Sequence, residues 1–465
     1  MKQYFCTDII KMKGEVVELF GWIHNRRDHG KLIFLDLRDK SGLAQMIVLP
    51  DSSAYKIAQK LGPEFVVRAK GKVNERPEKM INKDLATGEV EIEVDEIEIL
   101  SQAQPPVFEV NKDTSKVKEE VRLKYRYLDL RSERMKNNLI KRQEMAQALR
   151  KYLIGNHFTE VETPDLTKGT PEGAREYVVP SRVQKGKVYV LPQSPQQFKQ
   201  LLMVAGLERY FQFARCFRDE DPRGDRQPEF TQLDIEMSFI AENHLMELME
   251  EMVVNAVQKI YPNKNIKDIP FVRMTFDESM TKYGTDKPDL RENKDDKNEL
   301  VFAWIYNMPL FEWSETEKKL VSTHHPFTAP QIADIKHLES APDQVKAQAY
   351  DLVLNGFEIA GGSIRIHQPD LQRQVFKTLG LNETEIEQKF GHMLEAFTYG
   401  VPPHGGIAFG FDRMMMILQN ENSIREIIPF PKTGDGRDLM MGAPSVANPE
   451  QLRELGIKIK KSSPK

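Results

Sequence analysis

Residues 211–239 of the 465-residue chain contain two strand-like segments separated by a charged loop: FQFARCFRDEDPRGDRQPEFTQLDIEMSF. Apolar and polar residues alternate through FQFARCF and again through FTQLDIEMSF, which predicts two strands. The Pro-Arg-Gly sequence between them predicts a turn that will not sit inside a helix or strand. We therefore expect a strand–loop–strand unit around which the rest of the chain is organised.

Four side chains lie at the base of this loop. Arg218 and Glu220 follow the first strand, and Arg226 and Phe230 begin the second. Arginine pairs bidentately with phosphate, glutamate accepts from an exocyclic amine, and a phenyl ring offers a stacking face. Together they could hold a nucleoside triphosphate. The alternative is a charged hairpin with solvated ion pairs, which are common and weak.

Composition predicts two or more domains, because 465 residues exceed one ordinary core. The chain is 40% hydrophobic and 29% charged, a soluble globular profile, and its net charge of −4 neither implies nor excludes a nucleic-acid partner. Its two cysteines are far apart, which argues against zinc or disulfides and fits a reducing cytoplasm. The N-terminus lacks a secretory h-region and no run is long enough to span a bilayer, so we expect a cytoplasmic protein without a membrane partner.

The first hundred residues predict a small barrel. Strand-like runs cover 15–22, 32–37, 44–49, 65–73 and 89–100, with a short helix at 53–61. Five strands with a helix after the third suit an OB-fold. Arg26 and Arg27 lie near Phe34, and OB-folds bind single-stranded nucleic acid with cations on the backbone and aromatics under the bases. A solvated turn and a core phenylalanine are the alternative.

Three further segments carry candidate ligand contacts. Glu172 lies in the Gly-rich KGTPEGARE, where a carboxylate could receive a substrate ammonium or simply face solvent. LPQSPQQFKQLL predicts a helix on which Gln196 and Lys199 share a face. His324 and His325 could close over a ligand from a mobile loop; paired histidines also suggest metal, but no third His or Cys lies near in sequence.

In this order, these segments resemble the class II aminoacyl-tRNA synthetases. Arg-x-Glu, a loop and Arg-x-x-x-Phe form the second signature motif of that family, and GIAFGFDRMMMIL resembles the third. A long predicted helix followed by a strand ending at Pro164 resembles the first, which builds the dimer interface. TPEGARE, QSPQQFKQ, HHPFT and GFEIAGGSIRIH are similar to segments of the bacterial-type aspartyl enzymes of class IIb.

The resemblance implies an α+β fold with an N-terminal OB-fold anticodon-binding domain at 1–103, a hinge or linker at 104–132, and a class II catalytic domain at 133–465. The catalytic domain would have an antiparallel sheet flanked by helices. The implied reaction activates L-aspartate with ATP and Mg²⁺ and transfers it to the 3′ end of tRNA(Asp). His29 stands where bacterial members vary with tolerance for asparagine tRNA, which suggests that tRNA(Asn) is also charged. A homodimer is implied as well.

The resemblance also implies roles for individual residues. The catalytic residues would be Arg218 and Arg413. The aspartate-binding residues would be Glu172, Gln196, Lys199, Arg218, Asp234, His324 and Arg365. The ATP-binding residues would be Arg218, Asp219, Glu220, Gln227, Phe230, Glu358, Gly410, Phe411, Asp412 and Arg413. The magnesium ligands would be Asp351 and Glu358, and the anticodon contacts would be Arg27, Phe34 and Gln45.

Lys199 is the residue that favours aspartate over asparagine. Aspartate brings a second carboxylate, and a buried anion needs a fixed cation. Asparagine would leave that lysine unpaired. Asp234 could orient Lys199 or take the substrate ammonium. Asp351 and Glu358 are seven residues apart, which on one uninterrupted strand puts them on opposite faces; Asn355-Gly356 can supply a bend, so the spacing leaves their relation open.

The clearest departure from the family is near residues 290–300. Bacterial aspartyl enzymes carry an entire inserted domain there, and this chain has only the charged linker ENKDDKNE. A loop in place of a peripheral domain need not harm the core. Two rival hypotheses stay open. One is an asparaginyl, lysyl or aspartate–ammonia ligase, which Lys199 with Arg365 and the OB-fold disfavour; the other is an inactive tRNA-binding paralogue, which predicts loss of Arg218, Glu220 or Arg413.

Overall fold

The computed structural model describes residues 4–169, 173–315 and 318–460. The chain forms two compact units. The barrel unit comprises Met1–Arg122 and Tyr127–Glu133, and the sheet unit comprises Leu123–Arg126 and Arg134–Lys465.

Five strands of the barrel unit close into a barrel. They are β1 (Val16–His29), β2 (Leu32–Arg38), β3 (Leu43–Val48), β4 (Val66–Glu75) and β5 (Val90–Ser101), with helix α1 (Tyr55–Ala58) after β3. Their order around the barrel is β1–β2–β3–β5–β4. Strand β1 pairs with both β2 and β4, so it must bend. Gly21 permits the bend, because a Cβ there would lie 2.4 Å from the carbonyl oxygen of Arg38.

The predicted OB-fold is confirmed, with the strands and the short helix in the expected order. Strand β1 continues past Trp22 to His29, so Arg26 and Arg27 lie on a strand and not in a turn. Arg27 pairs with Phe34 on β2. Cross-strand pairing of this kind outweighs the low strand propensity of a charged stretch.

Helices flank and connect the strands of the rest of the chain. They are α2 (Glu119–Lys124), α3 (Arg126–Asp129), α4 (Glu133–Gly155), α5 (Gln196–Val204), α6 (Glu242–Ile260), α7 (Phe276–Tyr283), α8 (Pro369–Thr378), α9 (Glu383–Phe397), α10 (Phe411–Leu418) and α11 (Pro449–Leu455). Within the described part of the chain, none of the helices is long and apolar enough to cross a lipid bilayer.

The strands of the sheet unit form one large sheet and two small hairpins. They are β6 (Thr159–Glu160), β7 (Val178–Pro180), β8 (Val188–Val190), β9 (Arg209–Phe217), β10 (Glu229–Ser238), β11 (Asn265–Thr275), β12 (Glu299–Tyr306), β13 (Phe311–Ser314), β14 (Lys319–Ser322), β15 (Ala349–Leu354), β16 (Phe357–Ile364) and β17 (His404–Gly410). The hairpins are β7–β8 and β13–β14, and the sheet order is β11–β12–β15–β16–β17–β10–β9–β6.

The expected antiparallel sheet is found for the six inner strands, from β12 to β9. Each edge strand instead runs parallel to its neighbour, so the sheet is mixed. Helix α7 lies between β11 and β12 in the chain and supplies the crossover that a parallel pair requires.

Strand β10 is buried on both faces, and the two faces differ. Leu233, Ile235 and Met237 belong to the large apolar core, which also takes in residues of α4, α6 and α10. Asp234 and Glu236 alternate with them and are completely buried. Because successive side chains on a strand point to opposite faces, the fold places two buried carboxylates on the face opposite this core.

The stretch between α7 and β12 is short, where a reduced insertion was predicted. Gly284 ends α7 in the left-handed conformation, with φ of 70°. Arg291 then donates to both carboxylate oxygens of Asp289, at 3.0 and 2.8 Å. Turns stabilised by local ion pairs thus connect the helix directly to the sheet.

Glu242, the first residue of α6, should make stability depend on pH. Burial raises the pKa of its carboxyl from 4.5 to about 7, although Arg273 opposes the shift. The folded chain therefore holds this proton more tightly than the unfolded chain, and the resulting stabilisation is present below pH 4.5 and is lost as the pH rises through 7. We expect Glu242→Gln to increase the free energy of unfolding at pH 8 by about 1 kcal/mol, and by less at pH 5. Chemical denaturation at both pH values measures this, and an equal gain at both would contradict it.

Candidate active site

Four buried charged side chains meet at the centre of the sheet, and we call them the charge cluster. They are Lys199 on α5, Asp234 and Glu236 on β10, and Arg365 just after β16; none is more than 2% exposed. Nζ of Lys199 lies 2.9 Å from Oδ1 of Asp234 and 3.6 Å from Oε2 of Glu236. Arg365 donates from Nε and Nη2 to the two carboxylate oxygens of Glu236, at 2.9 and 3.0 Å.

The charge cluster is stable because every charge in it has a partner, since an isolated buried charge is very costly. Burial opposes the ionisation of Glu236, but Arg365 and Lys199 outweigh it and hold the pKa of Glu236 below its usual value. Gly406 faces Glu236 on β17, and a Cβ there would lie 2.0 Å from Oε2 of Glu236. Only glycine at this position leaves room for the carboxylate.

The charge cluster retains unused hydrogen-bonding capacity. Oδ2 of Asp234 is buried and has no hydrogen-bond partner among the described residues. Gln196, three residues before Lys199, is also buried and shares a face of α5 with it. A free buried acceptor beside two cations suits a ligand that carries both an ammonium and carboxylates.

The adjacent residues His324 and His325 contact different side chains. Nε2 of His325 lies 2.6 Å from Nη1 of Arg365. Burial and the charge of Arg365 lower the pKa of His325 well below its usual value. Nε2 of His324 instead lies 3.7 Å from Oδ1 of Asp351. His325 therefore contacts the charge cluster, whereas His324, the histidine predicted to bind aspartate, faces the acidic pair described below.

A cleft of about 180 Å³ opens along the same strands. It brings together eight of the ten residues predicted to bind ATP, namely Arg218, Glu220, Gln227, Phe230, Glu358, Gly410, Asp412 and Arg413. Asp225, Arg226 and Gln232 also line it. The segments with the second and third signature motifs thus meet at one place.

Cations and an aromatic ring converge in this cleft. The guanidinium of Arg218 lies 5.2 Å from the ring centroid of Phe230. Nη2 of Arg413 lies 3.2 Å from Oδ2 of Asp225, while its Nε is buried without a hydrogen-bond partner among the described residues. This arrangement suits an aromatic base with attached phosphates. The partly exposed Glu220–Arg226 pair, 3.1 Å apart, fits the alternative of a solvated ionic hairpin.

Two predicted ATP contacts lie outside the cleft lining. The backbone N–H of Asp219 donates to the carbonyl oxygen of Arg175 at 3.0 Å, and Nε of Arg175 donates to the carbonyl oxygen of Asp219 at 3.3 Å. Phe411 is 2% exposed and packs under the guanidinium of Arg142, 4.6 Å away. Asp412 borders the cleft, but its carboxylate lies 2.6 Å from Arg142. The side chains of Phe411 and Asp412 thus pack against Arg142 in the wall of the site.

Gln227 and Glu172 differ from the other predicted contacts. The side-chain amide of Gln227 lines the cleft and exchanges two hydrogen bonds with the backbone of Lys432, at 3.0 and 2.7 Å. This pairing ties the charged loop to the chain that follows α10. Glu172 lies outside the described residues.

Asp351 and Glu358 point to the same place although their spacing is odd, because they lie on different strands of the β15–β16 hairpin. The Cβ position of Gly361 would lie 2.8 Å from Oδ1 of Asp351 and 3.8 Å from Oε1 of Glu358. A register shift after Leu352 produces this convergence. The acidic pair therefore faces one point from two strands.

The chemistry of the acidic pair fits a divalent cation. Oδ1 of Asp351 is buried and makes no hydrogen bond to a described residue. Burial and the neighbouring carboxylates of Glu358 and Asp286 raise the pKa of Asp351 well above its usual value. Two carboxylates leave most of an octahedral shell to water and phosphate, as Mg²⁺ prefers. Within the described ranges, no group of three or more His, Cys, Asp or Glu side chains is arranged to hold a metal ion.

The barrel unit carries a second polar site, on the strands with the predicted anticodon residues. Nη2 of Arg27 lies 3.0 Å from Oδ1 of Asp36, and Gln45 donates to Glu91 at 2.9 Å. Phe34 is half-buried on β2 and lies opposite Arg27 of β1 in the strand register. Asp36, two residues further along β2, lies opposite Gln45 of β3. All three predicted residues thus lie on neighbouring strands with matched register.

Several residues that build these sites were missed in the sequence. Glu236 lies two positions after Asp234, so strand periodicity could have found it. Arg76 is 7% exposed, lies 3.6 Å from Glu91, and has Nε and Nη2 without hydrogen-bond partners among the described residues. No local pattern marks Arg76, because its partner Glu91 is remote in the chain.

Comparison with known proteins identifies the family. Residues 118–434 match the class II tRNA synthetases for aspartate, lysine and asparagine (D, K and N), and residues 17–100 match the OB-fold nucleic acid binding domain. The aspartate–tRNA(Asp/Asn) ligase of Dehalococcoides mccartyi is 40% identical, over 99% of this chain and 99% of the relative. The chain belongs to the aspartate–tRNA ligase family of class II aminoacyl-tRNA synthetases.

Other members of the family are similarly close. The aspartate–tRNA ligase of Thermosipho africanus is 42% identical over 98% of each chain. The alignment with the Dehalococcoides ligase runs over 594 positions, which exceeds the 465 residues of this chain by 129. The relative therefore contains sequence that has no counterpart in this synthetase.

Solved structures show the same fold. The asparaginyl-tRNA synthetase from Pyrococcus horikoshii complexed with asparaginyl-adenylate superposes with a TM-score of 0.75 and 23% identity, over 93% of this chain and 98% of that one. The aspartyl tRNA synthetase from Entamoeba histolytica gives a TM-score of 0.72 and 22% identity, over 92% and 91% of the two chains.

The pairing of Glu236 in the charge cluster should contribute to the stability of the fold. Glu236→Gln removes the charge between Arg365 and Lys199 while keeping the side-chain size. Breaking a buried ion pair from one side is strongly destabilising, so we expect the free energy of unfolding to fall by about 3 kcal/mol. Glu383→Gln is the matched control, because it removes a partner from Arg373 and Lys377 on the surface and should change stability very little. Denaturant titration compares them, and equal losses would contradict the account.

Proposed function

We propose that this synthetase activates L-aspartate with ATP and transfers it to the 3′ end of tRNA(Asp) and of tRNA(Asn). The observation that carries the aspartate specificity is the buried charge cluster. Lys199 and Arg365 supply two fixed cations for the side-chain carboxylate, and Asp234 has a free oxygen for the ammonium. The relatives named for aspartate and for both tRNAs support the same function.

Asparagine is rejected by the same geometry. Its neutral amide would leave a buried cation without an anion, and sites built for a polar group discriminate strongly against an analogue that lacks it. The related-ligase hypothesis is therefore disfavoured. The hypothesis of an inactive paralogue is disfavoured because Arg218, Glu220 and Arg413 all line one cleft.

The first step joins an oxygen of the aspartate α-carboxylate to the α-phosphorus of ATP, and the bond to the β-phosphate side breaks to release pyrophosphate. In the second step the terminal ribose hydroxyl of tRNA attacks the aspartyl carbonyl, and AMP leaves. No side-chain nucleophile is needed. Arg218 and Arg413 neutralise developing phosphate charge, and positioning supplies the rest. Asp351 and Glu358 would hold a magnesium ion, which adds charge neutralisation on the triphosphate.

Recognition of tRNA is assigned to the barrel unit. Arg27, Phe34 and Gln45 would contact the anticodon. Arg76 would be a fourth contact, because Nε and Nη2 of its guanidinium have no hydrogen-bond partner among the described residues. His29 ends β1 with its side chain exposed, where it is available to influence the choice between the two tRNAs.

We also infer a homodimer, from the resemblance of α4 and the following strand to the first signature motif. Helix α4 leaves Ile140 and Ile154 exposed by 42% and 58%, which suits a contact with a second copy. A cytoplasmic location follows from the proposed role in charging tRNA.

Lys199→Met tests the assignment of the amino acid. Wild-type protein should catalyse ATP–pyrophosphate exchange with aspartate and not with asparagine, in the absence of tRNA. Loss of a fixed cation from a buried anion site should lower kcat/KM for aspartate by about 10³-fold or more. Lys185→Met is the control, because Lys185 is exposed in a turn. Exchange with asparagine at a similar rate in wild type would refute the specificity.

Phe34→Ala tests the assignment of the barrel unit. Loss of one stacking contact should weaken tRNA binding by about 5- to 150-fold, since such contacts contribute about 1–3 kcal/mol per base. The expected result is a higher KM for both tRNA(Asp) and tRNA(Asn) in aminoacylation, with unchanged pyrophosphate exchange. Phe20→Ala, on β1, provides the matched control. Failure of the wild type to charge tRNA(Asn) would restrict the function to tRNA(Asp).

A further inference from the structure

Three buried polar side chains form a chain of contacts beside the charge cluster, which we call the amide relay. Gln196 and Gln200 lie one turn apart on α5, and His404 is the first residue of β17; they are 5%, 0% and 0% exposed. Nε2 of Gln196 donates to Oε1 of Gln200 at 3.0 Å, and Nε2 of Gln200 lies 3.2 Å from Nε2 of His404. Nδ1 of His404 lies 2.8 Å from the carbonyl oxygen of Pro402.

The far end of the amide relay sets its direction. A carbonyl oxygen can only accept, so Nδ1 of His404 carries a proton and donates it to Pro402. Burial lowers the pKa of His404 although Glu236 opposes the shift, so the ring is neutral. Its Nε2 then carries only a lone pair and must accept from the amide nitrogen of Gln200. This turns the oxygen of Gln200 toward Gln196.

The orientation of Gln200 in turn fixes the amide of Gln196. Gln196 donates its amide nitrogen to Gln200, so its own Oε1 is the group left for a ligand. Gln196 and Lys199 share a face of α5, which puts this oxygen on the side of the charge cluster. An amide oxygen accepts from an ammonium, whereas an amide nitrogen would oppose it.

We propose that Gln200 and His404 are positioning residues, which fix the amide of Gln196 so that its oxygen receives the α-ammonium of bound aspartate. This inference deepens the proposed function and rests on it. Without the relay, the amide of Gln196 would rotate and offer its nitrogen to the ammonium for part of the time. The relay thus adds affinity for the ammonium alone and leaves recognition of the carboxylate to Lys199 and Arg365.

Two unreactive ligands separate these contacts. Aspartyl-sulfamoyl adenosine imitates the adenylate, and succinyl-sulfamoyl adenosine is the same molecule without the ammonium. In Gln200→Met, calorimetry should show the Kd of the aspartyl ligand raised by about 10- to 100-fold, as for loss of a hydrogen bond to a charged group. The Kd of the succinyl ligand should change little. Equal weakening of both ligands would overturn the proposal.

The matched control is Gln197→Met, which replaces a glutamine on the same helix that is 6% exposed and lies outside the relay. It should leave both Kd values unchanged. A second pair of variants changes the same position with and without loss of the hydrogen bond. His404→Gln keeps an acceptor for Gln200, and His404→Leu removes it. We expect near wild-type affinity for the aspartyl ligand in the first and a raised Kd in the second, and equal affinities would overturn the proposal.

Binding of the two ligands to wild type and variants distinguishes the proposed function from the amide relay. Wild-type protein that binds neither ligand would refute the proposed function. Tight wild-type binding of the aspartyl ligand, together with an unchanged Kd in Gln200→Met and His404→Leu, would refute only the amide relay. Thermal unfolding of each variant confirms that the binding data come from folded protein.

Discussion

The buried pairing of Glu236 with Arg365 and Lys199 is the interaction on which the rest of the site depends. It allows two cations to stay desolvated at the centre of a sheet, where a low dielectric strengthens their electrostatic interactions. The surrounding sequence accommodates it: Gly406 leaves room for the carboxylate, and Ser363 and His325 take the remaining Nη1 of Arg365, each at 2.6 Å. Replacing any one of these neighbours would leave a buried charge poorly satisfied.

Strand periodicity places the two halves of the site next to each other. Phe230, Gln232, Asp234 and Glu236 occupy alternate positions on β10, so one face of one strand runs from the cleft to the charge cluster. The paired strand β17 repeats this pattern with small residues, since Gly410, Ala408 and Gly406 lie opposite Gln232, Asp234 and Glu236. Two adjacent strands thus form one continuous surface from the cleft to the charge cluster. In this chain a short stretch of turns connects α7 to β12 within the sheet unit.

Most of the fold and much of the candidate site could be predicted from local patterns. Alternation identified β9, β10 and the strands of the barrel, and the order of the signature motifs pointed to residues that do line one cleft, such as Arg218 and Arg413. The parallel edge strands and the meeting of Asp351 with Glu358 could not be predicted, because both depend on pairing between segments remote in the chain. The same limit applies to the choice between His324 and His325. Adjacent histidines give no signal of which one turns toward Arg365; only the tertiary structure does.

Direct binding of two adenylate analogues to the wild-type protein tests whether the charge cluster selects aspartate. Aspartyl-sulfamoyl adenosine and asparaginyl-sulfamoyl adenosine differ only in carboxylate against amide, so their affinity ratio reports the charge cluster. We expect the aspartyl analogue to bind at least about 100-fold more tightly, because the amide leaves buried cations unpaired. Equal affinities would show that Lys199 and Arg365 do not select the side chain, and would contradict the account.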